Sequence, residues 1–341
     1  MYICPQPHKH LFMFSNCEEI VRRMNKAGKA NRPFLFAFNF ELTEGFFIED
    51  PLQQQQIIFD INGISNAVSD NERRSNCKQP ASILDAFPES AETYRKRFHT
   101  VKEGLLHGNS FLTNLTIKTP IKTPLTLKQI FDFSHAPYRI CVPKHFVCFS
   151  PEGFVKIKNG RIYSYPMKGT IDGSIANAQQ IILNDYKEKA EHYTIVDLIR
   201  NDLNQIATDV NVRRFRYIDT LRTNKGTILQ VSSEIEGTLP NNYEENIGTL
   251  LMKLLPAGSI SGAPKRATLQ LIRNAEKESR GYYSGIAGYF DGHNLDSGVL
   301  IRYIEESEDG KLFFHSGGGI TVNSECESEY HEAIQKVYLP F

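Results

Sequence analysis

The chain has 341 residues, of which 40% are apolar and 23% are charged, with 39 basic and 39 acidic side chains. This balance gives no overall electrostatic attraction to nucleic acid or to an anionic membrane, so neither partner is expected. The length suffices for one large domain or two ordinary ones. We expect a single cooperative domain over 1–341, because no linker or low-complexity tract divides the chain.

The six cysteines form no CxxC pair, which argues against a zinc knuckle or a redox motif. The first residues, MYICPQPHKHLFMF, lack the cationic start and long apolar run of a signal peptide. No apolar stretch reaches the roughly 18 residues that a membrane span needs. These features predict a cytoplasmic protein with free thiols.

In the first half of the chain, a short helix is predicted at 18–28, followed by strands in PFLFAFNFE, GFFIED and QQIIFDI. The polar residues 66–82 predict a loop. A second helix, ending at Gly108, is indicated by apolar residues at helical spacing, namely Tyr94, Phe98, Val101 and Leu105.

The stretch HFVCFSPEGFVKIKNGRIYSYP predicts a β-hairpin, with Asn159-Gly160 as a type I′ turn. Helices are expected at about 177–207, 261–277 and 325–337, and strands at 284–291, 297–304 and 311–316. Ser324 and Glu327 predict a capping box at the start of the last helix. Because helices and strands mix without regular βαβ alternation, the fold class predicted is α+β with antiparallel sheets.

Two pairs of acidic residues stand three positions apart within predicted helices: Glu188 with Glu191, and Glu329 with Glu332. Residues at this spacing share one helix face. On a solvated helix such pairs need no special role. If the two faces met, however, the four carboxylates would require a cation, and hard oxygen ligands suit Mg²⁺.

The predicted hairpin also brings a lysine near a glutamate. Extending the ladder from the turn pairs Phe154 with Tyr165 and Glu152 with Met167, which precedes Lys168. A lysine and a glutamate at a strand end can form an ordinary ion pair of little energetic value. Alternatively, burial can favour a neutral lysine nucleophile and a protonated glutamic acid, because it disfavours both charged forms.

Eight stretches in order along the chain together resemble the chorismate-utilising family, which includes anthranilate synthase component I, aminodeoxychorismate synthase component I and isochorismate synthase. The resemblance covers about 108–338 and rests on SPEGF, PMKGT, AEHYTIVDLIRNDL, PAGSISGAPK, RGYYSGIAGY, LIRYIE, SGGGIT and EYHEAIQK. It implies two stacked antiparallel β-sheets with helices outside, and a Mg²⁺ that holds a carboxylate of chorismate.

The resemblance also implies roles for individual residues. Glu191 and Glu332 match the main metal ligands, and Glu188 and Glu329 match their acidic neighbours. Glu152 matches a general acid/base. The implied substrate contacts are Thr170, Ser259, Tyr289, Arg302, Gly317, Gly318, Gly319 and Lys336.

Lys168 resembles the lysine of the aminodeoxychorismate synthases, whereas the other branches have a small residue before this Gly-Thr pair. A lysine here can attack ring C2 and expel the C4 hydroxyl, after which ammonia attacks C4 and releases the lysine. Two departures from the family pattern are Leu112, in place of a customary glutamine, and Gln230, in place of a histidine found in many relatives.

The resemblance therefore favours component I of aminodeoxychorismate synthase, which supplies 4-aminobenzoate for folate. The chain shows no glutaminase motif, so a separate glutamine amidotransferase is expected to supply ammonia, and a lyase to consume the product. The alternatives are anthranilate or isochorismate synthase and, more remotely, a non-catalytic chorismate-binding subunit.

Overall fold

The computed structural model describes residues 14–67, 83–223 and 226–341. Within them, two antiparallel sheets form the protein, and every strand pairing is antiparallel. The predicted α+β class, with two stacked sheets and helices outside, is confirmed. The expected loop at 66–82 lies almost entirely outside the described residues.

The first sheet contains, in spatial order, β1 (Ser15–Asn16), β3 (Glu44–Glu49), β2 (Phe34–Phe38), β16 (Ile286–Phe290), β17 (Leu295–Val299), β10 (Gly153–Lys158), β11 (Arg161–Ser164), β14 (Gly226–Thr238) and β12 (Met167–Asp172), with β13 (Thr208–Thr223) also paired to β14. The second contains β15 (Gly262–Ala263), β7 (Leu112–Lys122), β19 (Leu312–Ile320), β18 (Tyr303–Glu306), β9 (Phe146–Ser150), β8 (Tyr138–Val142), β4 (Ile58–Ile61) and β5 (Ile64–Ser65), with β6 (Asp85–Ala86) beside β7.

The helices are α1 (Cys17–Lys29), α2 (Ala91–Leu106), α3 (Leu127–Phe133), α4 (Ala178–Asn184), α5 (Tyr186–Leu203), α6 (Ile247–Leu254), α7 (Gly258–Ser261), α8 (Lys265–Glu276) and α9 (Cys326–Gln335). Two single 3₁₀ turns lie at Pro51–Gln53 and Glu244–Asn246.

Strand β2 explains why the layers stack. Its sequence, FLFAF, is apolar at every position, and all five residues are buried. Successive side chains of a strand point to opposite faces. Phe34, Phe36 and Phe38 therefore join the core under α1 and α6, while Leu35 and Ala37 join the core between the two sheets. A strand buried on both sides needs a layer on each side.

The outer face of the second sheet is covered in the same way. Phe131 of α3 packs with residues of β8 and β9. A separate core joins α2, α8 and α9 to β7 and β19, with Phe98 and Ile117 among its buried members. The helices thus lie outside the stacked sheets. They pack against strands whose ends surround the site described below.

The predicted helix over 177–207 is two helices rather than one. It is broken at Asp185, whose backbone is extended and whose side chain accepts a hydrogen bond from the N–H of Glu188. An aspartate in this position caps the following helix, because it satisfies an N–H that has no partner within the helix. The break sets the start of α5 and therefore the positions of its acidic residues.

The predicted capping box at Ser324 and Glu327 is wrong. Helix α9 begins at Cys326, and the residue before it, Glu325, makes no side-chain cap. The Ser324 hydroxyl instead accepts a hydrogen bond from the N–H of Thr321, and Glu327 forms an ion pair with Arg95 of α2. The tertiary contact with α2 is available only in the folded protein, and it competes with the local cap.

Candidate active site

A cavity of about 670 Å³ lies where the first sheet, α5, α7, β19 and α9 meet. This volume is in the range typical of small-molecule sites. The predicted site residues that line it are Glu152, Lys168, Thr170, Glu188, Glu191, Ser259, Arg302, Gly317, Gly318, Gly319, Glu329, Glu332 and Lys336. Residues from distant parts of the chain are thus brought to one place, with the exception of Tyr289.

The hairpin register is confirmed next to the turn, where Lys158 pairs with Arg161 and Lys156 with Tyr163. The ladder does not continue to Glu152, because Met167 pairs with Ser232 of β14 instead. The two chains separate near Pro166, which cannot donate to a ladder. This separation opens the cavity, since Glu152 and Lys168 both line it.

Lys168 lies on β12, and its Nζ donates to Oε2 of Glu191 at 2.7 Å. Burial lowers the pKa of Lys168, but the carboxylates of Glu191, Glu188 and Glu332 outweigh burial, and the net pKa is raised above its ordinary value. Burial thus acts on the pKa of Lys168 in the expected direction, but the charges of its acidic neighbours act more strongly. The surrounding acidic residues, which the hairpin argument omitted, hold the ammonium charged.

Glu152 behaves as expected. Burial raises the pKa of its carboxyl group, although a hydrogen bond from Ser259 and the charges of Lys168 and Arg302 act in the opposite direction. The Ser259 hydroxyl donates to Oε1 of Glu152 at 3.0 Å. Ser259, predicted as a substrate contact, therefore also orients the predicted acid.

The four acidic residues line one cavity, as the metal hypothesis requires. Glu188 and Glu191 come from α5, and Glu329 and Glu332 come from α9. Carboxylate oxygens are the ligands that Mg²⁺ prefers, so the set fits this ion chemically. Among the described residues, however, no three acidic, histidine or cysteine ligands stand in a metal-binding arrangement.

In this structure, two lysine ammonium groups contact the carboxylates that a metal cation would bind. Lys168 contacts Glu191, and Lys336 donates to Oε1 of Glu332 at 2.6 Å and to the carbonyl of Gly317 at 2.8 Å. A bound Mg²⁺ would share these carboxylates with the two lysines or displace them. The metal site therefore stays a prediction whose donor chemistry is suitable.

The glycines of SGGGIT leave room beside the carboxylates. Gly317–Gly319 lie on β19 and pair with β7. A Cβ added to Gly318 would lie 3.4 Å from Oε2 of Glu329 and 3.5 Å from Oε1 of Glu332. A larger residue here would occupy space next to the acidic groups, so glycine keeps that space open for a ligand.

Arg302 lies in the short connection between β17 and β18, which interrupts the single strand predicted at 297–304. Its backbone is in the left-handed region, with a φ of 54°. Its Nε donates to the hydroxyl of Tyr338 at 3.4 Å, and Arg302 lines the cavity. The interruption turns this side chain out of the regular strand alternation.

Tyr289 does not line this cavity, contrary to the predicted role in the substrate wall. It lies on β16, is 7% exposed, and belongs to the core between the sheets. Its ring stacks on Phe59 with centroids 6.1 Å apart. The tyrosine of the RGYYSGIAGY stretch that does line the cavity is Tyr283. Three tyrosines in ten residues made the assignment ambiguous, and only the packing separates them.

The two departures from the family pattern also lie at the cavity. Leu112 lines it with an apolar side chain, and Gln230 lines it while donating to the sulfur of Met167. Ser284, which the sequence reasoning missed, is a further lining residue. Nothing in its residue type pointed to a site, since a single serine beside a glycine is common in loops.

The family model described as "chorismate binding enzyme" matches residues 5–340. An uncharacterised PabA-like protein of Pasteurella multocida is 48% identical over 323 residues, covering 94% of this chain and 98% of that protein. Aminodeoxychorismate synthase component 1 of Bacillus subtilis is 28% identical over 269 residues, covering 74% of this chain and 56% of that protein.

Among solved structures, anthranilate synthase component I of Streptococcus pneumoniae superposes with a TM-score of 0.68 at 21% identity, covering 90% of this chain and 79% of that one. At this identity the likeness concerns the fold. With the family match over nearly its whole length, this chain belongs to the chorismate-binding enzyme family. Within the described residues, no helix has the length and apolar character needed to cross a membrane.

Proposed function

We propose that this chain is component I of an aminodeoxychorismate synthase, which converts chorismate and ammonia to 4-amino-4-deoxychorismate and water. The observation that carries the proposal is Lys168, which contacts Glu191 and lines the same cavity as Glu152. A lysine amine is a nucleophile once it is neutral, and the other branches of the family are expected to have a small residue here.

In the proposed reaction the ammonium of Lys168 first loses a proton to solvent, and the neutral amine then attacks C2 of the chorismate ring. The two ring double bonds shift, and the C4 hydroxyl leaves as water with the proton of Glu152. Ammonia then attacks C4, the double bonds shift back, and the bond between C2 and Lys168 breaks, after which the ammonium formed at C4 returns a proton to Glu152. Glu152 suits the role of acid because burial raises its pKa, so that it keeps a proton at higher pH than an exposed glutamate.

The remaining lining residues would bind the substrate. Arg302 would hold one carboxylate of chorismate, with Tyr283 beside it, and the backbone of Gly317–Gly319 would form the wall next to the ring. Thr170 would lie next to the ring, and Lys336 would contact the substrate near Glu332. Thr170 and Gly317–Gly319 lie on strands, and Arg302 and Tyr283 lie in short segments next to strands, which favours a fixed substrate orientation.

Glu188, Glu191, Glu329 and Glu332 would hold Mg²⁺. The ion would supply positive charge for the second carboxylate of chorismate and would compete with Lys168 and Lys336 for their acidic partners. Ammonia would come from a glutamine amidotransferase partner, and a lyase would convert the product to 4-aminobenzoate.

The test is product identity. The purified chain is mixed with chorismate, Mg²⁺ and an ammonium salt, with and without the separate lyase, and the products are separated by chromatography. We expect 4-aminobenzoate only when the lyase is present. Anthranilate or isochorismate as the sole product would refute the proposal, and so would a lack of any Mg²⁺-dependent turnover.

Lys168→Ala tests the nucleophile directly. Wild-type protein given chorismate without ammonia should gain the mass of chorismate less one water, and Lys168→Ala should not. The matched control is Lys128→Ala, since Lys128 pairs with an aspartate on the surface of α3. An unchanged product yield from Lys168→Ala would exclude its nucleophilic role.

A further inference from the structure

Ser284 lies deep in the wall of the cavity, next to Tyr283. It is 1% exposed and lines the cavity. Its backbone N–H donates to the carbonyl of Leu300 at 2.8 Å, and the N–H of Leu300 donates to Gly285 at the same distance. These two bonds join the segment around Ser284 to the one that carries Arg302, so both residues are fixed on the same side of the cavity.

The backbone of Ser284 is in the left-handed region, with a φ of 65°. Residues other than glycine, asparagine and aspartate rarely adopt it, and such residues collect at functional sites. Among the described non-glycine residues with positive φ, only Ser284 and Arg302 line this cavity. The unfavourable backbone therefore occurs twice on the same wall, in segments that are hydrogen-bonded to each other.

The hydroxyl group of Ser284 is buried and has no hydrogen-bond partner among the described residues. Leaving such a group unpaired is costly, and most buried hydroxyls are paired. Other buried hydroxyls without a partner in this part of the chain do not line the cavity; they are those of Thr113, Thr119, Tyr282 and Ser316. Ser284 is the one residue among them that both lines the cavity and carries an unpaired buried hydroxyl.

We infer that the Ser284 hydroxyl donates a hydrogen bond to the chorismate carboxylate that Arg302 holds, which makes Ser284 a substrate-binding residue. This inference rests on the proposed function for its ligand. A carboxylate accepts several hydrogen bonds at once, so an arginine leaves room for a hydroxyl donor. The positive charge of Arg302 acts to lower the pKa of Tyr283, which immediately precedes Ser284. A bound carboxylate would provide the partner that the buried hydroxyl lacks.

The test measures chorismate affinity by calorimetric titration in the presence of Mg²⁺, in a Lys168→Ala background that prevents turnover. Ser284→Ala should raise the dissociation constant by about tenfold or more, because hydrogen bonds to charged groups are among the strong ones. Ser284→Gly should weaken binding similarly while raising the melting temperature, because glycine adopts a positive φ freely. The matched control, Thr119→Val, removes an unpaired buried hydroxyl away from the cavity and should leave affinity unchanged.

An unchanged dissociation constant in both Ser284 variants would overturn the inference. If the alanine variant folds poorly, the glycine variant decides, since it removes the hydroxyl and the backbone strain together. The product of the wild-type reaction tests the proposed function separately. Affinity for chorismate does not depend on which ring carbon later reacts, so production of anthranilate would refute amino transfer to C4 and leave the Ser284 comparison valid.

Discussion

Nζ of Lys168 lies 2.7 Å from Oε2 of Glu191, so the proposed nucleophile is paired with a proposed ligand of Mg²⁺. The pair is partly shielded, with the side chains 29% and 14% exposed. A lysine ammonium and a metal ion would compete for the same carboxylate. Metal binding and release of the lysine for attack are therefore expected to be coupled.

This coupling predicts that Lys168→Ala binds Mg²⁺ more tightly than the wild type, although it is inactive. Removal of the competing ammonium should increase the affinity by about twofold to fivefold, the size of a partly exposed ion pair. Titration calorimetry with MgCl₂ measures it, with Lys128→Ala as the control. Equal or weaker binding by Lys168→Ala would show that Glu191 is not a ligand.

Glu152→Gln should lower turnover by about 10²–10⁴-fold, the usual contribution of a general acid. Because burial raises the pKa of Glu152, the wild-type rate should fall as pH rises through that raised value. The ionised, buried form is also unfavourable, so the stabilising contribution of this group is lost over the same rise in pH. Turnover against pH, with chemical denaturation at each pH, measures both effects. A rate independent of pH would contradict the role of Glu152.

Ser259→Ala should shift this alkaline fall in activity to higher pH. The Ser259 hydroxyl donates to the Glu152 carboxyl group and lowers its pKa, so removal of the hydroxyl raises the pKa further. The comparison of pH profiles for wild type and Ser259→Ala tests this, with Ser261→Ala as the control because its hydroxyl bonds a backbone carbonyl instead. A shift to lower pH would contradict the assigned hydrogen bond.

Tyr283→Phe and Tyr289→Phe form a matched pair that separates a cavity tyrosine from a core tyrosine. Loss of the Tyr283 hydroxyl should raise KM about tenfold, the cost of one hydrogen bond to a charged group. Tyr289→Phe keeps the ring that stacks on Phe59 and should leave kcat/KM within about twofold. Steady-state kinetics with chorismate measure both variants. A larger effect of Tyr289→Phe than of Tyr283→Phe would show that Tyr289, rather than Tyr283, binds the substrate.

Glu276 and Arg280 form an almost fully buried ion pair, with side chains 4% and 2% exposed. Glu276→Gln should destabilise the protein by about 3–5 kcal/mol, because the Arg280 charge stays buried without its partner. The double variant Glu276→Met/Arg280→Met should lose less, since both charges are removed. Urea unfolding measures the free energies, and a double variant less stable than Glu276→Gln would contradict this account.

Much of the fold follows from local patterns. The apolar strand β2, the Asn159-Gly160 turn and the helical spacing of α2 each depend on residues close in sequence, and each is confirmed. The pairing of long, polar strands is harder to predict from the sequence. The hairpin of β13 and β14, with strands of 16 and 13 residues, is polar along much of its length, so it lacks the apolar alternation by which strands are recognised.

The candidate site likewise combines features that the sequence indicated with features that only the tertiary structure shows. Ordered motifs in the sequence indicated the family, and nearly all of the site residues predicted from them line the cavity, because chemistry requires particular side chains at particular spacings. The choice between Tyr283 and Tyr289, the pairing of Lys168 with Glu191, and the unpaired hydroxyl of Ser284 were decided only by the tertiary structure. Each depends on distances and burial that arise between segments far apart in the chain, and side-chain type alone does not determine them.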